Sequence, residues 1–137
     1  MEKDCLFCKI ISGVIPSAKV YEDEYSFAFL DINPINPVHT LLVPKRHFAN
    51  LYETSDETLK ELAPTIKKLA IAVKKAVSAD GINIGMNNDS AAGQLIFHAH
   101  FHIIPRHTED GFRHWRGKRA YKDGEINQVA EKIKASL

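Results

Sequence analysis

Three histidines at alternate positions, His98, His100 and His102, are the residues of this chain best suited to chemistry. Successive side chains of a strand point to opposite faces, so residues 94–104 read as a strand with two unlike faces. Leu95, Phe97, Ala99, Phe101 and Ile103 take the packed parity, and Gln94, His98, His100 and His102 take the other. Imidazoles placed this way lie roughly 6.5 Å apart, within reach of one phosphate group and its leaving group. Near neutral pH an imidazole works as base, acid or nucleophile. Three readings fit: a surface strand that carries histidines, a metal-binding strand, or a catalytic cluster. The preceding stretch Asn87-Asn88-Asp89-Ser90-Ala91-Ala92-Gly93 favours the last, because it is rich in groups that hold an oxyanion or phosphate.

Cys5 and Cys8 form a second constellation. In a reducing compartment such a pair reads more readily as a metal clip or redox pair than as a structural disulfide. With two histidines it would make a Cys₂His₂ site suited to tetrahedral zinc, and without them two free thiols or, under oxidation, a disulfide.

The elements that must position these groups follow from periodicity. Residues 19–31 have strand character, and Asp31-Ile32-Asn33-Pro34-Ile35-Asn36-Pro37 is a loop. His39 to Val43 is a second apolar run, closed by Pro44, which pairs antiparallel with the first for lack of a helix-length crossover. Thr54 and Glu57 suggest a capping box opening a long helix. Leu59, Leu62, Ala63, Ile66, Leu69, Ala70, Val73 and Val77 follow at helical spacing, Pro64 predicts a kink and Gly81 a stop. Ile82, Ile84 and Met86 predict a third strand, and residues 125–137 a terminal helix. The expected fold is α+β, an antiparallel sheet of about five strands with one long helix and a C-terminal helix. Residues 1–137 are read as a single domain with a tail over 107–137.

At 137 residues and formal net charge +1, the chain has no electrostatic footprint for nucleic acid or an anionic membrane. Its N-terminus lacks the apolar core of a signal peptide, and no apolar run approaches the roughly 18 residues that span a bilayer. A cytoplasmic protein is expected.

Gly93-Gln94-Leu95-Ile96-Phe97-His98-Ala99-His100-Phe101-His102-Ile103-Ile104 resembles the signature of the histidine-triad (HIT) superfamily. Phe29 to Pro34 with His39 to His47, and Cys5 to Ile11 with Ile15 to Lys19, are similar to two further blocks of its zinc-carrying, Hint-like branch. The resemblance implies a nucleotide-binding hydrolase acting at the α-phosphate of AMP-type substrates, a purine nucleoside phosphoramidase. His100 would be the nucleophile and carry a nucleotidyl-histidine intermediate; His102 would contact the phosphate and serve the leaving group. His98 would orient His100, partly through its backbone carbonyl. Asn87 and Gln94 match phosphate-binding positions, and Asp31 the carboxylate that takes the ribose hydroxyls. Leu6, Phe7, Ile10, Phe29, Ile32 and Leu41 match the apolar slot around the base, although residues alone would make them ordinary core.

By the same resemblance Cys5, Cys8, His47 and His98 would hold a structural zinc, His39 would stand behind the triad, and the chain would be a homodimer. Leu95 replaces a polar residue common in relatives, which bears on the leaving group, and Ala92 replaces a glycine. His107 and His114, near Trp115, are expected at the surface. The alternatives are a diadenosine polyphosphate hydrolase and a nucleotide-binding regulatory protein with little turnover.

Overall fold

A hairpin stands where one long strand is expected over residues 19–31. Asp23 turns the chain: its Oδ1 accepts from the backbone N–H groups of Tyr25 and Ser26 at 2.9 and 2.7 Å and from Ser26 Oγ at 2.9 Å. An aspartate that satisfies a turn's amides competes with the strand ladder and ends it. The result is β1 (Lys19–Glu22) and β2 (Ser26–Leu30), followed by β3 (Thr40–Pro44). The computed structural model describes residues 2–113 and 117–137. The expectations for His114 and Trp115 fall outside them.

After β3 come α2 (Asp56–Ala76), β4 (Gly81–Gly85), a 3₁₀ turn at Ser90–Ala92, β5 (Phe101–Arg106) and α3 (Glu125–Lys134); α1 (Leu6–Ile11) precedes β1. The sheet order is β1-β2-β3-β5-β4, and every neighbouring pair is antiparallel. The α+β fold with five antiparallel strands agrees with the sequence expectation.

Helix α2 is capped one residue later than the capping box suggests. Ser55 Oγ accepts from the Thr58 N–H at 3.3 Å, whereas the Thr54 hydroxyl is spent on the Asn50 carbonyl at 2.7 Å. The helix continues through Pro64 without a break. Pro64 and Lys60 are both exposed, so water can reach the carbonyl that the proline leaves unpaired. The stop is also not Gly81, which opens β4. Ser78 takes the left-handed conformation (φ +50°), with Ala79 N–H on Lys74 O at 2.9 Å and Ser78 N–H on Lys75 O at 3.4 Å. That is the Schellman arrangement, with a serine where glycine is usual.

The sheet is covered on both faces, and strand alternation sorts the core accordingly. Ala28, Leu42 and Ile103 pack with Leu62, Leu69 and Val73 of α2. Phe27, Phe29, Leu41 and Val43 pack with Phe7 and Ile10 of α1. Across the sheet Phe29 faces Leu41, Leu41 faces His102, and His102 faces Gly85, so His102 lies in the same row as the α1-side core. Helix α3 buries none of its residues. Among the described residues no helix is long and apolar enough to cross a membrane.

Candidate active site

Only the last of the three alternating histidines lies on a strand. β5 begins at Phe101, and residues 94–100 approach it as irregular chain. The expected faces are accordingly wrong before Ala99: Leu95 is 86% and Phe97 47% exposed, while His98 is wholly buried and His100 6% exposed. The reason is α1, which sequence periodicity did not reveal. Its Phe7 ring meets His98 and His100 edge-on, at 6.0 and 5.1 Å between centroids. His98 and His100 are thus covered, while Leu95 and Phe97 face out.

Burial fixes the protonation of each imidazole through its partners. His98 donates Nε2–H to the Pro44 carbonyl at 2.8 Å, so its Nδ1 carries the lone pair. His100 does the reverse. Its Nδ1 lies 2.6 Å from the His98 carbonyl, which can only accept, so the proton is on Nδ1 and Nε2 is bare. Burial holds His100 below the ordinary histidine range, against the opposing pull of that carbonyl and Asp31. It presses His98 down to about 4, with His47 and His100 adding to the effect. A neutral imidazole with a free Nε2 on a fixed ring is what a nitrogen nucleophile requires.

The His98 Nδ1 lone pair points at sulfur. Cys5 Sγ is 3.4 Å and Cys8 Sγ 3.6 Å from it, and Cys8 Sγ is 3.5 Å from His47 Nδ1. The ligand atoms of Cys5, Cys8, His47 and His98 all lie within 4.8 Å of one another. A tetrahedral zinc with Zn–S of about 2.3 Å and Zn–N of about 2.0–2.1 Å sets sulfur and nitrogen roughly 3.6 Å apart. The observed separations fit that ion. The outer partners fit as well: His47 Nε2 is 2.7 Å from Glu2 Oε2, so both histidines turn Nδ1 inward while an acceptor holds Nε2–H. Burial pushes the Cys8 thiol up, so its thiolate needs a cation beside it.

His102 sits in a different set of contacts. Its Nδ1 is 2.9 Å from His39 Nε2, and Asp31 Oδ2 is 3.8 Å from that same Nε2. The backbone N–H of Ile35 donates to His39 Nδ1 at 3.2 Å. Burial, then the neighbouring His100 and His39, take His102 down to about 4. Burial also lowers His39, opposed by Asp31. His39 therefore stands directly behind the triad.

The loop before the histidines corrects one expected role. Gln94 is 2% exposed and fully engaged: its Oε1 accepts from the Asp89 N–H at 2.9 Å, and its Nε2 donates to Ala49 O and Ile96 O at 2.6 and 3.1 Å. With no donor left over, Gln94 shapes the loop and does not reach a phosphate. Asn87 is exposed and makes one long bond, Nδ2 to Gly93 O at 3.5 Å, so an amide proton remains free. Gly93 itself requires glycine, at φ +90°.

Of the residues expected around a base, Phe7, Ile10, Phe29 and Leu41 are buried together, whereas Leu6 is 40% and Ile32 91% exposed. The first four belong to the core packed under α1, and the other two are at the surface. Asp31 is half-buried, its Oδ1 accepting from Asn33 N–H at 2.8 Å and its Oδ2 turned to His39. His107, expected at the surface, is half-buried where Asp110 gathers the chain. Asp110 accepts from Arg106, His107 N–H, Phe112 N–H and Asn36, and so ties the 31–38 loop to the end of β5. Sequence reading missed Asp110, Asn36 and Glu2. Asn36 lay inside an Asn-Pro turn signal, but nothing marked its distant partner.

A HIT domain matches residues 12–109. The chain is 44% identical to "Protein hit" of Bacillus subtilis, over 98% of this chain and 95% of that protein. It is 43% identical to the adenosine 5′-monophosphoramidase hnt1 of Schizosaccharomyces pombe, over 77% of each. Adenylylsulfatase HINT3 of Arabidopsis thaliana is 42% identical over 80% of this chain and 56% of its own length. Among solved structures, SMU.412c of Streptococcus mutans superposes with TM-score 0.93 at 44% identity, covering 99% of this chain and 87% of that one. A zinc-bound histidine triad family protein of Mycobacterium smegmatis gives TM-score 0.77 at 34% identity, with 98% of both chains covered. The buried histidines, the loop that feeds them and these likenesses lead to one assignment: this chain belongs to the HIT family.

Proposed function

We propose that the protein hydrolyses nucleotides at the α-phosphate, releasing a nucleoside 5′-monophosphate from AMP-type phosphoramidates or anhydrides through an intermediate on His100. The observation that carries this reading is the bare Nε2 of His100, on a ring fixed by the 2.6 Å contact of Nδ1 with the His98 carbonyl. Its lone pair forms the N–P bond while the electrons of the bond to the leaving group depart with that group. Water then attacks phosphorus, the N–P electron pair returns to Nε2, and the nucleotide leaves. His102 and the free amide proton of Asn87 serve the phosphate oxygens. Asp31 takes the ribose hydroxyls, and Phe7, Ile10, Phe29 and Leu41, with Leu6 and Ile32, take the base. The phosphoramidase and adenylylsulfatase names of two relatives support a leaving group of amine or sulfate type.

Cys5, Cys8, His47 and His98 would hold a structural zinc, whose contribution is a rigid clamp on α1 and the chain leading to His100. His98 ties the two functions together, since its ring reaches the sulfurs and its carbonyl aims the nucleophile. The expected homodimer would use the open edge of β4, and a cytoplasmic setting suits the reduced thiols.

The test is intact-protein mass spectrometry during turnover of adenosine 5′-phosphoramidate. Wild type should gain one adenylyl group transiently, and His100→Ala should show neither adduct nor turnover while still binding AMP. Turnover by His100→Ala would remove the assignment.

A further inference from the structure

Asp31, His39 and His102 offer three ligand atoms within 4.8 Å of one another, an arrangement that resembles a cation site. The backbone rules that out. A metal on His39 Nε2 would require the proton of a neutral imidazole to sit on Nδ1, where it would face the N–H of Ile35, donor against donor. The same N–H has a stronger consequence. Because His39 Nδ1 must accept from Ile35, neutral His39 carries its proton on Nε2 and donates it to His102 Nδ1 across 2.9 Å. His102 Nδ1 is then the acceptor, and the proton of neutral His102 lies on Nε2. An imidazolium at His102 would again set two donors against each other.

The peptide that starts this chain of bonds is firmly placed. His39 N–H bonds Asn36 O at 3.0 Å and Asp31 N–H bonds His39 O at 2.9 Å. Asn36 Nδ2 reaches Pro105 O and Asp110 Oδ2, each at 2.8 Å. Val38, just before His39, is held at φ +74°, a conformation that a β-branched residue adopts only when its surroundings impose it. The Thr40 hydroxyl holds the Val38 carbonyl at 2.8 Å.

We propose that His39 is a positioning residue whose tautomer, set by the peptide N–H of Ile35, locks His102 as a neutral Nε2–H donor to the phosphoryl group and not as a proton-delivering acid. This rests on the reading of His100 as nucleophile. His100 and His102 then present opposite tautomers to one phosphate: a lone pair from Nε2 of the first and an N–H from Nε2 of the second. The relay cannot carry a proton forward, because it ends on a peptide N–H that does not ionise. If His102 gave up its Nε2 proton and refilled from His39, His39 would be left as an imidazolate.

The leaving group must therefore depart as a weak base or bring its own proton. A phosphoramidate nitrogen protonated from solvent leaves as neutral amine, and a sulfate or carboxylate leaves as its anion. An alkoxide can do neither. Within the proposed function, simple alkyl phosphodiesters are therefore left intact.

The experiment is nitrogen-15 NMR of the histidine-labelled, full-length protein at pH 7, alongside kinetics of His39→Gln and His39→Ala. The spectra should place the His39 and His102 protons on Nε2 and the His100 proton on Nδ1. An imidazolium or Nδ1–H tautomer at His102 would overturn the proposal, whatever the turnover. His39→Ala should release His102 into mixed tautomers and lower kcat by about 10- to 100-fold with KM little changed, less than the roughly 100- to 1,000-fold cost of deleting a transition-state donor. A glutamine amide can still donate to His102 Nδ1, so His39→Gln should restore the tautomer and most of the rate. Equal losses in both folded variants with an unmoved His102 tautomer would refute the relay. Cleavage of an adenosine 5′-alkyl phosphodiester at a rate near that of the phosphoramidate would refute the proton accounting. Loss of the His100 adduct with the predicted tautomers intact would instead strike the proposed function.

Discussion

At the scale of single residues, the site works by giving each imidazole nitrogen one partner of definite sign. Among the five histidines gathered here, His47 and His98 turn Nδ1 to sulfur because Nε2–H is held by Glu2 and by the Pro44 carbonyl. His100 faces the opposite way because its Nδ1 meets a carbonyl first. Outer partners of this kind typically change metal affinity by about 10- to 100-fold. Glu2→Gln should therefore weaken zinc binding by about tenfold, and Cys8→Ser should reduce zinc content in metal analysis to background. Unchanged affinity in Glu2→Gln would show that the exposed Glu2 contact does not orient His47. The sequence brings His102 next to His100, but the group that faces His39 behind it, the backbone N–H of Ile35, leaves no mark in residue types.

At the scale of elements, local rules fixed the type of each segment and tertiary partners fixed its ends. α2 is capped by Ser55 and not Thr54 because the Thr54 hydroxyl found the Asn50 carbonyl. Ser55→Ala should cost about 1 kcal/mol in chemical denaturation. Glu57→Ala should lie within about 0.5 kcal/mol of wild type, as an exposed residue outside any cap. In β3, Leu42 is wholly buried between the sheet and α2, and Leu42→Ala should cost about 2–5 kcal/mol by the same measurement. A smaller loss would mean that α2 closes over the space. The late start of β5 was hidden by alternation that begins before the real strand, whereas the hairpin at Asp23 was signalled by the acidic run Glu22-Asp23-Glu24, which the apolar alternation of the following strand overshadowed. Six-residue α1 was hidden for another reason: it is too short to show a helical period and holds together through tertiary packing.

At the scale of the whole molecule, the chain keeps several imidazoles neutral by burial. His98 and His102 are held near 4, and His39 and His100 are also lowered. Each binds a proton less readily than in the unfolded chain, whose histidines titrate near 6.5. Between about pH 4 and 6.5 the unfolded chain therefore holds more protons, and stability declines as the pH falls through that window. Carboxylates held low by their partners, such as Glu22, near 2 beside Lys19 and Lys45, lose their contribution only at more acid pH. Melting temperature in excess chelator should fall between pH 6.5 and 4.5, before carboxylate protonation dominates. A flat profile over that interval would mean that the histidines are not buried neutral.

The sequence by itself determined the antiparallel α+β class, the pairing of strands around the 31–37 loop, the long helix and the alternation of the three histidines. Those features are carried by periodicity and turn chemistry, which act over a few residues. Tertiary structure alone decided which side of the histidine segment is covered, because α1 folds onto it from a distant part of the chain. It also decided that Gln94 is consumed inside the loop and that Asp110 anchors Asn36. Above all it decided the protonation of each ring, since a tautomer depends on which carbonyl or N–H reaches a nitrogen. Pro44, His98 and Ile35 act there through backbone atoms that every residue possesses, and only the fold places them.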